Sequence, residues 1–110
     1  MSGIQLPDDA VTSVAIMVCT QGPSERRTQN FASLGRLKVA SDLSLTIIVV
    51  DNNELDQLEL ISQELSSALA GKFRFETAHE KRPGYCYVRN RALSKALETP
   101  ASVMIFVDDD

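Results

Sequence analysis

Cysteine and histidine are too scarce here to build a metal cage or a disulfide framework. There are two cysteines and one histidine in 110 residues. Cys19 and Cys86 show no Cys-x-x-Cys or Cys/His spacing, so neither zinc nor a bridge is indicated. A reducing, cytoplasmic setting fits best, with the cytoplasmic membrane face as a compatible place of work. His79 has no partner pattern and reads as a surface loop residue rather than a ligand. No apolar run approaches the roughly 20 residues that span a membrane. The opening residues, Met-Ser-Gly-Ile-Gln-Leu-Pro-Asp-Asp-Ala, lack the basic start and apolar middle of a signal peptide. Positive charge is not in excess: the net charge is −4. That argues against nonspecific nucleic-acid binding, which needs a basic face. There is no Gly-x-Gly-x-x-Gly after the first strand and no Gly-x-x-x-x-Gly-Lys-Ser/Thr anywhere. If a nucleotide binds, metal and side chains must hold its phosphates, because no glycine cradle exists. Repeats and low-complexity linkers are absent too.

What remains is an ordinary globular composition, 44% apolar and 24% charged, in a length that allows one domain. Residues 1–12 read as an irregular lead-in, broken by Pro7, Asp8 and Asp9. Ser13 to Cys19 is a near-continuous apolar run of strand length, as suits a strand buried on both faces. Thr20 to Pro23 is a loop. A helix follows from Ser24 to about residue 40, with Phe31, Leu34 and Leu37 on one face. Gly35 weakens it by roughly 1 kcal/mol relative to alanine. Leu43 to Val50 is a second buried strand, rich in Val and Ile, ended by Asp51-Asn52-Asn53. A second helix runs from about Glu54 to Leu69, with Leu55, Leu58, Ile61, Leu65 and Leu69 at helical spacing. Gly71 stops it. Phe73, Phe75 and Thr77 alternate with polar or small neighbours as a half-exposed third strand, placed at a sheet edge. His79 to Gly84 is a charged loop. Tyr85 to about Leu97 is the third helix, and Ser102 to Val107 the fourth strand.

Strand–helix alternation of this kind implies a parallel sheet with helices on both faces. Right-handed crossovers then favour a Rossmann-like α/β sandwich of order 3-2-1-4, with strands one and four side by side at its centre. Ligands bind beyond the carboxyl ends of strands at such a switch point. Those ends carry Thr20, Asp51 and the triplet Asp108-Asp109-Asp110. A short acidic run is usually only solvated, and Asp commonly ends strands. Yet three polar strand ends on one sheet edge can also hold a divalent cation through oxygen ligands. In the third helix Tyr85, Val88, Ala92 and Ala96 form one stripe, and Arg89 projects from it near the crevice. An arginine there needs an anionic partner: Asp51, an acid of the triplet, or a phosphate.

On these residues the chain resembles family 2 glycosyltransferases of the GT-A fold. The resemblance covers about residues 13–110. It rests on Val-Ala-Ile-Met-Val-Cys-Thr at 14–20, Ile-Ile-Val-Val-Asp-Asn-Asn at 47–53, Gly-Tyr-Cys-Tyr-Val-Arg-Asn-Arg-Ala-Leu at 84–93, and Ile-Phe-Val-Asp-Asp-Asp at 105–110. It implies that Thr20 and Asp51 line a nucleotide-base pocket, with Asn52 beside it. Gly84, Arg89 and Asn90 match the segment that approaches ribose and phosphate. Asp108 to Asp110 match the Asp-x-Asp motif. One carboxylate, Asp108 or Asp109, would reach the ribose, and Asp110 with Asp108 would ligate Mn²⁺ or Mg²⁺ on the diphosphate. Two departures stand out. Gln21 replaces an aromatic common in the family, and Arg26 and Arg27 come late in the loop, so neither arginine is assigned.

The expectation is the donor-binding half of a metal-assisted, inverting sugar transferase. The donor would be a nucleotide-diphosphate sugar and the acceptor a saccharide or lipid hydroxyl. The family's acceptor site and catalytic base lie beyond the Asp-x-Asp, so this chain should bind nucleotide weakly and transfer nothing alone. Apolar surface left open where the other half packs would favour self-association. Two rivals remain: a nucleotidyltransferase, and a non-catalytic α/β interaction module with an incidental acidic end.

Overall fold

The structure, a computed structural model, describes residues 12–22 and 24–107. Most of the expected lead-in, together with Pro23 and Asp108 to Asp110, lies outside them. The elements are β1 (Thr12–Thr20), α1 (Ser24–Gly35), β2 (Leu43–Asp51), α2 (Leu58–Leu69), β3 (Arg74–His79), α3 (Tyr85–Leu97) and β4 (Val103–Val107). The strands form one parallel sheet in the order β3-β2-β1-β4. This is the expected strand order, compatible with a Rossmann-like α/β fold.

Alternation along each strand builds two cores. Ile16, Val18, Leu45, Ile47 and Val49 face α1 and α2, where Phe31, Leu34, Ile61, Leu65 and Leu69 close the layer. Ala15, Met17, Ile48 and Val50 face α3, which meets them with Val88, Ala92 and Ala96. Small residues on α3 bring its backbone close to the sheet. α1 and α3 therefore lie on opposite faces, yet both begin at the carboxyl edge of the strands that precede them. No helix among the described residues is long and apolar enough to cross a membrane.

Several boundaries differ from the expected ones, each for a tertiary reason. Helix α1 ends at Gly35, not near residue 40. A Cβ at residue 35 would stand 2.1 Å from the Ala68 carbonyl oxygen of α2, so the glycine admits a close helix–helix approach. Helix α2 starts at Leu58, four residues later than expected. The Asp51 carboxylate accepts hydrogen bonds from the backbone amides of Asn53 (2.9 Å) and Gln57 (2.8 Å), which fixes the intervening residues as a loop. Leu55, expected on the apolar face of α2, is left 77% exposed in that loop. α2 is stopped first by Ala70, in the left-handed region at φ 49°, and then by Gly71. Strand β3 starts at Arg74 rather than Phe73 and continues through His79, which belongs to the sheet and not to a loop. The His79 ring Nε2 lies 2.9 Å from the Asn53 carbonyl oxygen. Thr12, assigned to the lead-in, is the first residue of β1.

Strand β4 pairs with β1, as expected, but forms the edge of the described sheet. Its register sets Val103, Ile105 and Val107 beside Val14, Ile16 and Val18, on the α1/α2 face. Neither helix covers them, and they are 37–44% exposed.

Candidate functional site: a cationic pocket at the carboxyl edge

A pocket of about 400 Å³ opens at the carboxyl ends of β1, β2 and β4. Thr20, Gln21, Arg26, Asn52, Gly84 and Arg89 contribute to its lining. Thr20 ends β1 in register with Asp51, and only 1% of it is exposed. Its carbonyl accepts the Asn52 backbone amide at 2.9 Å, which carries the β1–β2 pairing one residue past the strands.

Asn52 then joins a second segment to the same edge. Its side-chain amide donates to the carbonyl oxygens of Glu80 (2.6 Å) and Arg82 (3.0 Å), and Glu80 N–H donates to the Asp51 carbonyl (2.9 Å). The loop after β3 is thereby drawn over the tips of β2 and β1. Within it, the Glu80 carboxylate receives the Arg82 backbone amide at 3.0 Å and the Arg82 guanidinium at 2.9 Å through each of two nitrogens. Those hydrogen bonds from Arg82 hold the Glu80 carboxyl at about 2, well below its ordinary value. The same pairing raises the Arg82 guanidinium further above its ordinary value. Arg82 also stacks 4.3 Å from the Tyr87 ring centroid. The loop ends at Gly84, whose φ of 125° is a backbone state that side chains rarely adopt. Gly84 hands the chain directly into α3.

Arg89 emerges from the second turn of α3 into the pocket, as the helical stripe anticipates. Its guanidinium lies 3.9 Å from the Phe106 ring centroid and 4.9 Å from that of Tyr85, and its Nη1 donates to the Tyr85 hydroxyl. These aromatic contacts orient it without neutralising it. Asp51 is not its partner. Asp51 is fully buried, and its Oδ1 and Oδ2 are occupied by Asn53 and Gln57. Asp51 thus shapes the loop that carries Asn52.

Of the residues singled out from the sequence, the pocket gathers Thr20, Asn52, Gly84 and Arg89. Asp51 and the exposed Asn90 are not among its lining residues. Asp108, Asp109 and Asp110, which follow the lining residue Val107, lie outside the described residues. Sequence reasoning missed Arg26, Gln21 and Phe106. The available signal was topological: in each strand–helix unit the helix begins at the strand's carboxyl edge, so the first turn of α1 had to border the crevice.

The lining residues among those described include no carboxylate. Among the described residues no three His, Cys, Asp or Glu side chains gather as a metal site. The described lining thus presents two guanidinium groups, Arg26 and Arg89, to whatever enters the pocket. No family model matches this chain, and no curated protein or solved structure matches it.

Proposed function

We propose that this pocket is the donor site of a sugar transferase and that it binds a nucleotide-diphosphate sugar. The observation that carries the reading is the convergence of Thr20, Asn52, Gly84 and Arg89 on one pocket at the carboxyl edge of a parallel sheet. Switch-point crevices of such sheets are where nucleotides bind, and the GT-A type is a finer form of the same fold. Thr20 and Asn52 offer polar groups for base or ribose. Arg89 offers guanidinium N–H donors, whose planar fork suits phosphate oxygens. The exposed Tyr85 ring and the half-buried Phe106 ring beside it supply apolar surface.

A divalent cation, Mn²⁺ or Mg²⁺, belongs to this proposal through Asp108 to Asp110, and when bound it would offset charge on the leaving diphosphate. Among the described residues the pocket lining holds no carboxylate that could serve as the base for an acceptor hydroxyl. The role derived for these residues is accordingly binding and orientation of the donor, with the acceptor a saccharide or lipid hydroxyl. A cytoplasmic setting is part of the same reading.

Titration calorimetry with UDP and Mn²⁺ tests it. Saturable binding is expected, with a Mn²⁺-dependent gain in affinity that Asp110→Ala abolishes. Absence of any saturable heat would sink the nucleotide reading, and a gain that survives Asp110→Ala would remove the metal role.

One observation favours a second reading, a non-catalytic interaction module. The uncovered strip of Val103, Ile105 and Val107 is suited to contact with another surface. That reading expects a melting temperature indifferent to UDP and Mn²⁺.

A further inference from the structure

Arg26 and Arg89 reach one pocket from opposite faces of the sheet. Arg26 sits in the first turn of α1, whose Phe31 and Leu34 pack against Ile16 and Ile47. Arg89 sits in α3, whose Val88 and Ala92 pack against Ala15 and Met17. The two layers meet only at the sheet edge, and the pocket straddles it.

Two other arginines of this chain are matched by acids, while Arg36, Arg74 and Arg91 show no ion pair among the described residues. Arg27 is paired with Glu64 at 2.8 Å and Arg82 with Glu80 at 2.9 Å. Arg26 and Arg89 have no carboxylate partner among the described residues. Two cations lining a pocket of about 400 Å³, with no carboxylate paired to them among the described residues, repel each other, and an anion between them reverses that energy. Arg89 is also pre-oriented. Its guanidinium carbon lies 3.9 Å from the Phe106 ring centroid, and its Nη1 donates to the Tyr85 hydroxyl, so both rings hold it in place. Its conformational freedom is restricted before any ligand arrives, which lowers the cost of binding.

We infer that Arg26 and Arg89 form a two-sided grip on the diphosphate of the ligand, one arginine from each helical layer, and that this grip holds the anion without a divalent cation. The inference rests on the donor-site reading for the pocket's being a phosphate-ligand site. It adds Arg26 as a phosphate-binding residue and separates the arginines' share of affinity from any share of a metal. The ligand class is a molecule with two linked phosphates, for which inorganic pyrophosphate is the minimal probe.

The test is calorimetric titration of the 110-residue chain with inorganic pyrophosphate in EDTA. It compares wild type with Arg26→Ala, Arg26→Gln, Arg89→Ala and Arg36→Ala. Arg36 lies just past the far end of α1 and controls for net charge. Arg26 is exposed, so its variants should fold, and thermal melts verify this. Saturable binding is expected in wild type. Each Arg26 variant and Arg89→Ala should weaken it about tenfold or more, the size of one lost charge-assisted hydrogen bond. Arg36→Ala should leave it unchanged. No saturable binding in EDTA, or Arg26 variants that bind as tightly as wild type, would overturn the grip. A parallel titration with UDP and Mn²⁺ keeps the two ideas apart. Pyrophosphate binding with no gain from the uridine supports the grip and defeats the nucleotide reading. UDP binding only with Mn²⁺, unaffected at Arg26, does the reverse.

Discussion

Asn52 Nδ2 donates to the Glu80 carbonyl oxygen at 2.6 Å, across 28 residues of sequence. The bond is buried, and it fastens the loop after β3 to the tip of β2. That loop in turn delivers Gly84 and the start of α3 to the pocket.

Asn52→Ala should therefore do two things. It leaves the Glu80 and Arg82 carbonyls without their donor and should cost about 1–3 kcal/mol in urea denaturation. It should also speed amide exchange selectively in residues 80–84 and weaken pyrophosphate binding. A variant that lost stability evenly, with no local change in exchange, would argue against the clasp.

The Glu80–Arg82 pair predicts an acid limb to stability. The Glu80 carboxyl is lowered from about 4.5 to about 2 in the folded chain, chiefly by hydrogen bonds from Arg82. A depressed carboxyl stabilises the fold above its unfolded pKa. That contribution fades as pH falls from about 4.5 towards 2 and is gone below both values. Glu80→Gln should thus be less stable than wild type at neutral pH, with the two converging by about pH 2. Urea unfolding of both chains across that range measures it.

Two substitutions should reverse what helix propensity alone suggests. Gly35→Ala places a Cβ against the Ala68 carbonyl, a backbone atom that cannot swing aside. It should destabilise by about 1–3 kcal/mol, although alanine is the better helix former. Ala70→Gly relieves a left-handed residue at φ 49° and should stabilise by about 0.5–1 kcal/mol. Thermal melts of the pair should shift in opposite directions.

Asp51→Asn keeps size and removes an acceptor. One of the two oxygens that now receive backbone amides of Asn53 and Gln57 becomes an N–H₂ donor. A loss of about 1–3 kcal/mol follows from two donors facing each other at a buried site. If the side chain instead touched a ligand, binding would fall while stability held.

Much of this fold is written in local pattern. Apolar runs of strand length at 13–19 and 43–50, and the four-residue recurrence of Ile61, Leu65 and Leu69, set strands and helices with little outside help. Alternation then restricts the sheet to few topologies, and the observed order is the one those rules favour. The errors fall where one element's backbone meets another's side chain. Gly35 looked like a weak point in a longer helix, because its neighbour, Ala68, is 33 residues away. Asp51 looked like a pocket acid. The short sequence between it and Gln57 does not reveal that its oxygens turn back on the loop.

Arg26 and Arg27 mark the division most clearly. The sequence by itself determined that two adjacent cations open a helix after the first strand. Only the tertiary structure decided their fates. Successive helical residues point about 100° apart, so one arginine met the pocket and the other met α2. Arg27 is 1% exposed, with Nε donating to Glu64 at 2.8 Å and Nη1 to Gln57 at 3.1 Å. Its Nη2 lies 2.8 Å from the same Glu64 oxygen as an ion-pair contact without hydrogen-bond geometry. Arg26 stands at the sheet edge with no acid paired to it among the described residues. Which arginine is structural and which is left for a ligand depends on where Glu64, 37 residues away, is packed, and no local pattern carries that information.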